Sequence, residues 1–106
     1  MNLSRQYAQN IVREINSIIG ENINIMDGKG IIIASSDKNR IDTFHGGAKK
    51  IIDENLKQLL VHYDGEYEGA FTGTNIPIEF NNNIVGVIGV TGPDEEVLKY
   101  GKIIKK

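Results

Sequence analysis

Ser35-Ser36-Asp37-Lys38-Asn39-Arg40-Ile41-Asp42-Thr43-Phe44-His45-Gly46-Gly47-Ala48 lies between two apolar runs. Before it, Gly30-Ile31-Ile32-Ile33-Ala34 reads as a strand. After it, residues 44–60 read as an amphipathic helix. The stretch between gathers Ser, Asp, Arg, Asp, Thr and His, with two glycines beside the His. It is too polar for a core and too specific for a spacer. We read it as one wall of a pocket for a small anion, with the rest of the chain building the other walls.

Working back from it, Asp27-Gly28-Lys29-Gly30 supplies residues that accept positive φ, so a turn is expected there. Asn22 to Met26 alternates, with Ile23 inward, Asn24 outward and Ile25 inward, and forms a hairpin with residues 31–34. Further back, Asn2 or Ser4 can cap a helix running to about Ile19. Ala8, Ile11, Val12, Ile15, Ile18 and Ile19 make its apolar stripe, and Gly20 stops it.

Working forward, Asp37 suits the N-cap of a short turn over residues 38–42. The helix after it turns Ala48, Ile51, Ile52, Leu56 and Leu59 inward, and Lys49, Lys50, Asp53, Glu54 and Lys57 to water. His62 to Glu66 reads as a polar loop. Residues 67–72, 75–80 and 84–90 read as three strands. Asn81-Asn82-Asn83 joins the last two, since Asn tolerates the left-handed region. Ile84 to Val90 is apolar on both faces, as a central strand is. Its Gly86 and Gly89 lack side chains, so a helix or a ligand packs closely there.

Gly92-Pro93-Asp94-Glu95-Glu96 opens a last helix, striped by Val97, Tyr100, Gly101 and Ile104. The stripe is still running at Lys106, so residues 1–106 are expected to be one domain at the front of a longer protein. The order is helix, two strands, helices, three strands, helix. It predicts an α+β fold: a PAS- or profilin-like five-stranded antiparallel sheet flanked by helices. The N- and C-terminal helices would pack together or at a homodimer interface.

A chain of 106 residues can bury one core without staples. The absence of cysteine excludes disulfides and thiolate metal sites. A net charge of −2 argues against nucleic acid as a direct partner. No apolar run approaches the ~20 residues that span a bilayer, so no membrane partner is expected. Met1-Asn2-Leu3-Ser4-Arg5 lacks the layout of a secretion signal, so a cytoplasmic location is expected. The two histidines lack metal-ligand spacing and no glycine-rich phosphate loop follows a strand. Neither a metal nor a cofactor is expected.

Four segments carry a resemblance. They are Ile23-Asn24-Ile25-Met26-Asp27-x-Lys29-Gly30-Ile31-Ile32; Ser36-Asp37-x-x-Arg40-Ile41-x-x-Phe44-His45-x-Gly47-Ala48; Gly73-x-Asn75-Ile76-Pro77-Ile78; and Ile84-Val85-Gly86-Val87-Ile88-Gly89-Val90-Thr91-Gly92. In this order they resemble the sugar diacid recognition domain, the N-terminal part of bacterial carbohydrate diacid regulators. The resemblance implies a small-molecule sensor of a transcription regulator, followed in the full protein by a helix-turn-helix DNA-binding region. It implies ligands such as glucarate, galactarate or glycerate. The family usually has Gly where Asp42 stands and a basic residue where Phe71 stands. Both changes make the site less cationic, so a monocarboxylate or another polar metabolite fits this chain better.

Each candidate residue has a competing reading. Arg40 suits a carboxylate through its planar fork, or is a surface Arg paired with Asp37 or Asp42. His45 donates to a ligand oxygen beside the amides of Gly46 and Gly47, or merely caps the helix. Asn75 offers a donor and an acceptor to a hydroxy acid, re-aimed by an edge or bulge at Pro77, or satisfies turn backbone. Thr91 and Gly92 present backbone N–H groups to the ligand, or only punctuate the strand's end. Ser35 contributes a hydroxyl, or is simply loop polarity. Catalysis is not expected: Asp42 and His45 are three apart, but no Ser or Cys stands in a nucleophile elbow. Two functions remain open: a sensor of a small hydroxy-carboxylate, or the same fold reduced to dimerising or docking a partner.

Overall fold

The structure, a computed structural model, describes residues 3–92, so the expected last helix lies outside the described residues. Helix α1 (Arg5–Ile19) begins where Ser4 Oγ accepts from the Tyr7 N–H and ends at Gly20, at φ +80. Strands β1 (Ile23–Asp27) and β2 (Ile32–Ser35) form the expected hairpin. Asp27 Oδ1 closes its turn by accepting from the Lys29 and Ile31 N–H groups at 2.9 and 3.1 Å. A 3₁₀ turn, Lys38–Arg40, is capped by Asp37 as expected. Then come α2 (Gly46–Glu54), β3 (Leu59–Val61), β4 (Gly73–Phe80) and β5 (Asn83–Thr91). Asn81 and Asn82 both take positive φ in the last hairpin.

The fold is α+β, with one antiparallel sheet in the order β2-β1-β5-β4-β3. β5 is the middle strand, as its apolar residues on both faces require. One face packs on α1, where Ala8 and Val12 meet Ile23, Ile25, Ile76, Ile88 and Val90. The other packs on α2, where Ala48 and Ile51 meet Met26, Ile32 and Val87. α2 covers only part of that second face. The part it leaves open is where the polar residues collect.

Three expectations need correction. The helix predicted over residues 44–60 ends at Glu54, because Asn55 takes φ +53 and its N–H caps the Ile51 carbonyl. Leu59–Val61 is instead the edge strand β3, paired with Gly73–Asn75. Leu56 and Leu59 still pack on the α2 side of the core, so the helical spacing outlives the helix. Residues 67–72 are not a strand. Tyr67 and Ala70 close a turn, and Gly69 sits at φ +69 against the Phe44 carbonyl, where a Cβ would lie 2.0 Å from the oxygen. Only glycine fits there. Finally, Asn24 does not face water; it is 3% exposed, because both faces of β1 are covered.

Candidate functional site

The floor of the site is one row across three strands. Gly89 on β5 pairs with Asn24 on β1 and with Asn75 on β4. A Cβ on Gly89 would lie 2.4 Å from Asn75 Oδ1, so the missing side chain is what lets the Asn75 amide lie across the strand. Asn24 is fixed from behind, where the Ser35 hydroxyl donates to its Oδ1 at 2.6 Å. Ser35 also accepts from the Asp37 N–H at 3.0 Å, which ties the floor to the loop above it.

That loop forms the wall. It runs back along β2, with the Ile32 N–H donating to Thr43, the Asp42 N–H to Ile32 and the His45 N–H to Gly30, at 2.8–2.9 Å. Arg40 closes the 3₁₀ turn and is only 9% exposed. Its guanidinium donates to the Gly69 carbonyl and lies over the Phe71 ring, 4.1 Å from the centroid. Among the described residues no carboxylate stands within ion-pair distance of it. Burial holds the Arg40 pKa below its ordinary value, partly offset by Asp37 and Asp64. The group still carries its charge at any ordinary pH.

His45 caps α2, the structural one of the two roles its sequence context suggests, and keeps a second ring nitrogen for the other. Its Nδ1 accepts from the Ala48 N–H at 3.0 Å and caps α2. In the neutral ring that bond assigns the proton to Nε2, leaving a donor. The ring is buried, and burial first, then the Arg40 charge, pushes the pKa down to about 4. At neutral pH His45 is therefore an uncharged donor next to a fixed cation.

Arg40, His45, Asn75 and Thr91 thus line one cleft, with Asn24, Phe71, Gly73 and Gly89. The cleft is narrow and holds no water-sized space, so a ligand enters it only as these side chains part. The other candidates stand around it. Ser35 supports Asn24. The Gly46 N–H donates to the Glu68 carbonyl at 2.6 Å, and Gly47 lies against the His45 ring. The Thr91 and Gly92 N–H groups, expected to face a ligand, donate instead to the Asn22 and Thr72 carbonyls at 2.9 and 3.0 Å, because both continue the sheet's pairing. Pro77 lies two residues past Asn75, beyond the reach of β3, and the bulge falls after it between Ile78 and Glu79. Asn24 and Gly73 join the cleft without having been candidates in the sequence, and Phe71, singled out there only through the resemblance, lies in it. For Asn24 the available signal is an amide in an otherwise apolar strand; Phe71 is marked by the resemblance and by no local pattern.

Asp42 points away from the cleft. It binds Arg5 at 2.7 Å at the surface and takes φ +72, a conformation that suits glycine better. It neither pairs with Arg40 nor forms a dyad with His45, whose Nδ1 is engaged by Ala48. It therefore does not lower the cationic character of the site through contact with Arg40. Left-handed backbone costs a side-chain-bearing residue more than an exposed ion pair typically returns. Asp42→Gly is therefore expected to be neutral or stabilising by up to about 1 kcal/mol in urea melts. A loss of stability would show that the Arg5 pair outweighs the backbone strain.

Chemically, the cleft offers one guanidinium, one neutral imidazole N–H and two carboxamides over bare glycine backbone. That donor set suits an oxyanion flanked by hydroxyls. The α+β architecture is shared with two solved domains. The sensor domain of the Vibrio cholerae histidine kinase DctB superposes with a TM-score of 0.63 at 18% identity, over 90% of this chain and 40% of that one. The cofactor-binding GAF domain of the nutrient sensor CodY from Clostridium difficile superposes with a TM-score of 0.56 at 10% identity, over 89% of this chain and 77% of that one.

Residues 3–106 match the model of the sugar diacid recognition family, and the chain belongs to that family. It is 38% identical over 96% of its length to the carbohydrate diacid regulator of Escherichia coli strain K12. It is 33% identical over 99% of its length to an uncharacterized protein of Haemophilus influenzae. It spans 27% and 29% of the length of these two relatives.

Proposed function

We propose that this chain is the ligand-sensing domain of a bacterial transcription regulator and that it binds a small hydroxy-carboxylate in the cleft beside α2. Arg40 pairs the carboxylate. His45 Nε2–H and the Asn75 and Asn24 amides bond its hydroxyls, and Thr91 closes the far end of the cleft. The observation that carries this reading is the buried Arg40 guanidinium, which has no carboxylate partner among the described residues and lines one cleft with two buried amides. A buried charge left unpaired in this way is costly, and a ligand carboxylate removes that cost.

Residues 1–106 then form one sensory unit in the cytoplasm, without a metal or cofactor, and DNA is contacted only by another region of the full protein. The unit acts as a homodimer. Support for dimerisation comes from Tyr7 and Ile18, exposed on α1, and from Phe80, exposed beside Tyr7. Sedimentation of the isolated chain measures the dimer directly.

Binding is tested by melting the protein with a panel of small hydroxy acids, because a ligand of the folded state raises the midpoint. A midpoint that rises with concentration for one or more acids, and not for their amides or alcohols, supports the reading. A panel without any shift contradicts it and leaves the alternative, a fold kept only for dimerising or docking a partner.

A further inference from the structure

We infer that Phe71 restricts this site to ligands carrying a single carboxylate, the distal end of the ligand being a neutral hydroxyl. The inference rests on the proposed site and specifies its ligand class. Among the described residues lining the cleft, Arg40 is the one formal cation. The remaining donors are His45, Asn24 and Asn75. His45 is uncharged at neutral pH, so it adds donors and no charge.

The Phe71 ring covers one face of the guanidinium, 4.1 Å from its carbon. A cationic side chain at this position would bring a second charge beside Arg40, and Phe71 brings none. The charges around Arg40 have the opposite sign. Asp37 and Asp64 both act on it, and Asp64 is held in place by accepting from the Thr72 N–H at 2.8 Å and the Thr72 hydroxyl at 3.1 Å, next in the chain to Phe71. One ligand carboxylate is therefore matched by one guanidinium. A second would enter a narrow cleft with no other cation among the described residues that line it, and with Asp37 and Asp64 already acting on Arg40. Such uncompensated like charge is strongly disfavoured.

The experiment uses acid pairs that differ only by CH₂OH against COO⁻ at one end: D-gluconate with D-glucarate, and D-glycerate with tartronate. Affinities are measured by calorimetry at neutral pH on the wild-type chain and on Phe71→Lys and Phe71→Leu. Phe71 is about half-exposed in a loop, so neither change opens the core. In the wild type, the mono-acid of a binding pair should bind at least about tenfold tighter than its diacid, the size expected for one unmatched charge. Phe71→Lys should shift that ratio at least about tenfold toward the diacid, and Phe71→Leu should keep the wild-type order.

A wild-type diacid that binds as tightly as its mono-acid overturns the inference while leaving the site intact. So does a Phe71→Lys ratio equal to that of Phe71→Leu. If none of the four acids binds, the site reading fails and the inference with it.

Discussion

Arg40→Met is expected to weaken binding of a hydroxy acid that wild type binds by at least about 100-fold, and to abolish its effect on the melting midpoint. A guanidinium grips a carboxylate through two parallel N–H···O bonds. Each charge-assisted bond is worth roughly 1.5–3 kcal/mol, and about 1.4 kcal/mol is a factor of ten in affinity. Methionine keeps most of the apolar stem that is buried here and removes only the charge and the fork. Arg40→Lys should recover a minor part of the affinity, because an ammonium is a point charge that cannot match the carboxylate plane. Arg40 also holds the 62–72 loop through the Gly69 carbonyl and the Phe71 ring, so the variants should melt somewhat lower without ligand. Calorimetry on folded protein separates the two effects. Equal affinities for wild type and Arg40→Met would remove Arg40 from the site.

Stability is expected to fall with pH in a window set by His45. Its pKa is about 4 in the folded chain against an ordinary value of 6.5. Between these two values the unfolded chain binds a proton that the folded chain refuses, so unfolding is favoured as pH falls. The contribution is fully present above pH 6.5, is lost progressively down to pH 4 and levels off below that. A gap of that size corresponds to roughly 3 kcal/mol. His45→Asn keeps a side chain able to cap α2 and cannot titrate. Urea melts at pH 7 and pH 4.5 should therefore show a larger stability difference for wild type than for His45→Asn. Equal differences would mean that the ring takes up its proton in the folded state as readily as in the unfolded one.

Most of the fold could be read from local rules. Ser4 and Gly20 bound α1, the Asp27–Gly30 turn sets the first hairpin, and the two-faced apolar pattern of Ile84–Val90 places β5 in the middle. The errors fall where tertiary contact overrides local signal. Leu56 and Leu59 keep helical spacing although Asn55 has ended the helix, because both still face the same core. Residues 67–72 look like a strand until Gly69 is seen pressed on the Phe44 carbonyl, a contact 25 residues away in sequence.

The candidate site follows the same division. Arg40 and His45 stand out because a charge and an imidazole precede a glycine pair, and Asn75 because it stands in a strand two residues before a proline. Alternation in β1 assigns Asn24 to a face turned to water. Asn24 is buried because the loop of Arg40 and His45 folds back over that face. Phe71 belongs to the cleft through its stacking on Arg40, a contact across 31 positions that no local pattern encodes.

The central claim is that a carboxylate sits between the Arg40–His45 loop and the Asn24–Gly89–Asn75 row. The most direct measurement is a titration of isotope-labelled protein with D-gluconate and D-glycerate, followed by NMR of the side-chain N–H signals. The account predicts saturable shifts in the Arg40 guanidinium, the His45 Nε2–H and the Asn24 and Asn75 amides. Saturable shifts that leave these four groups still and appear instead around Tyr7 and Phe80, or only at surface lysines, would contradict it.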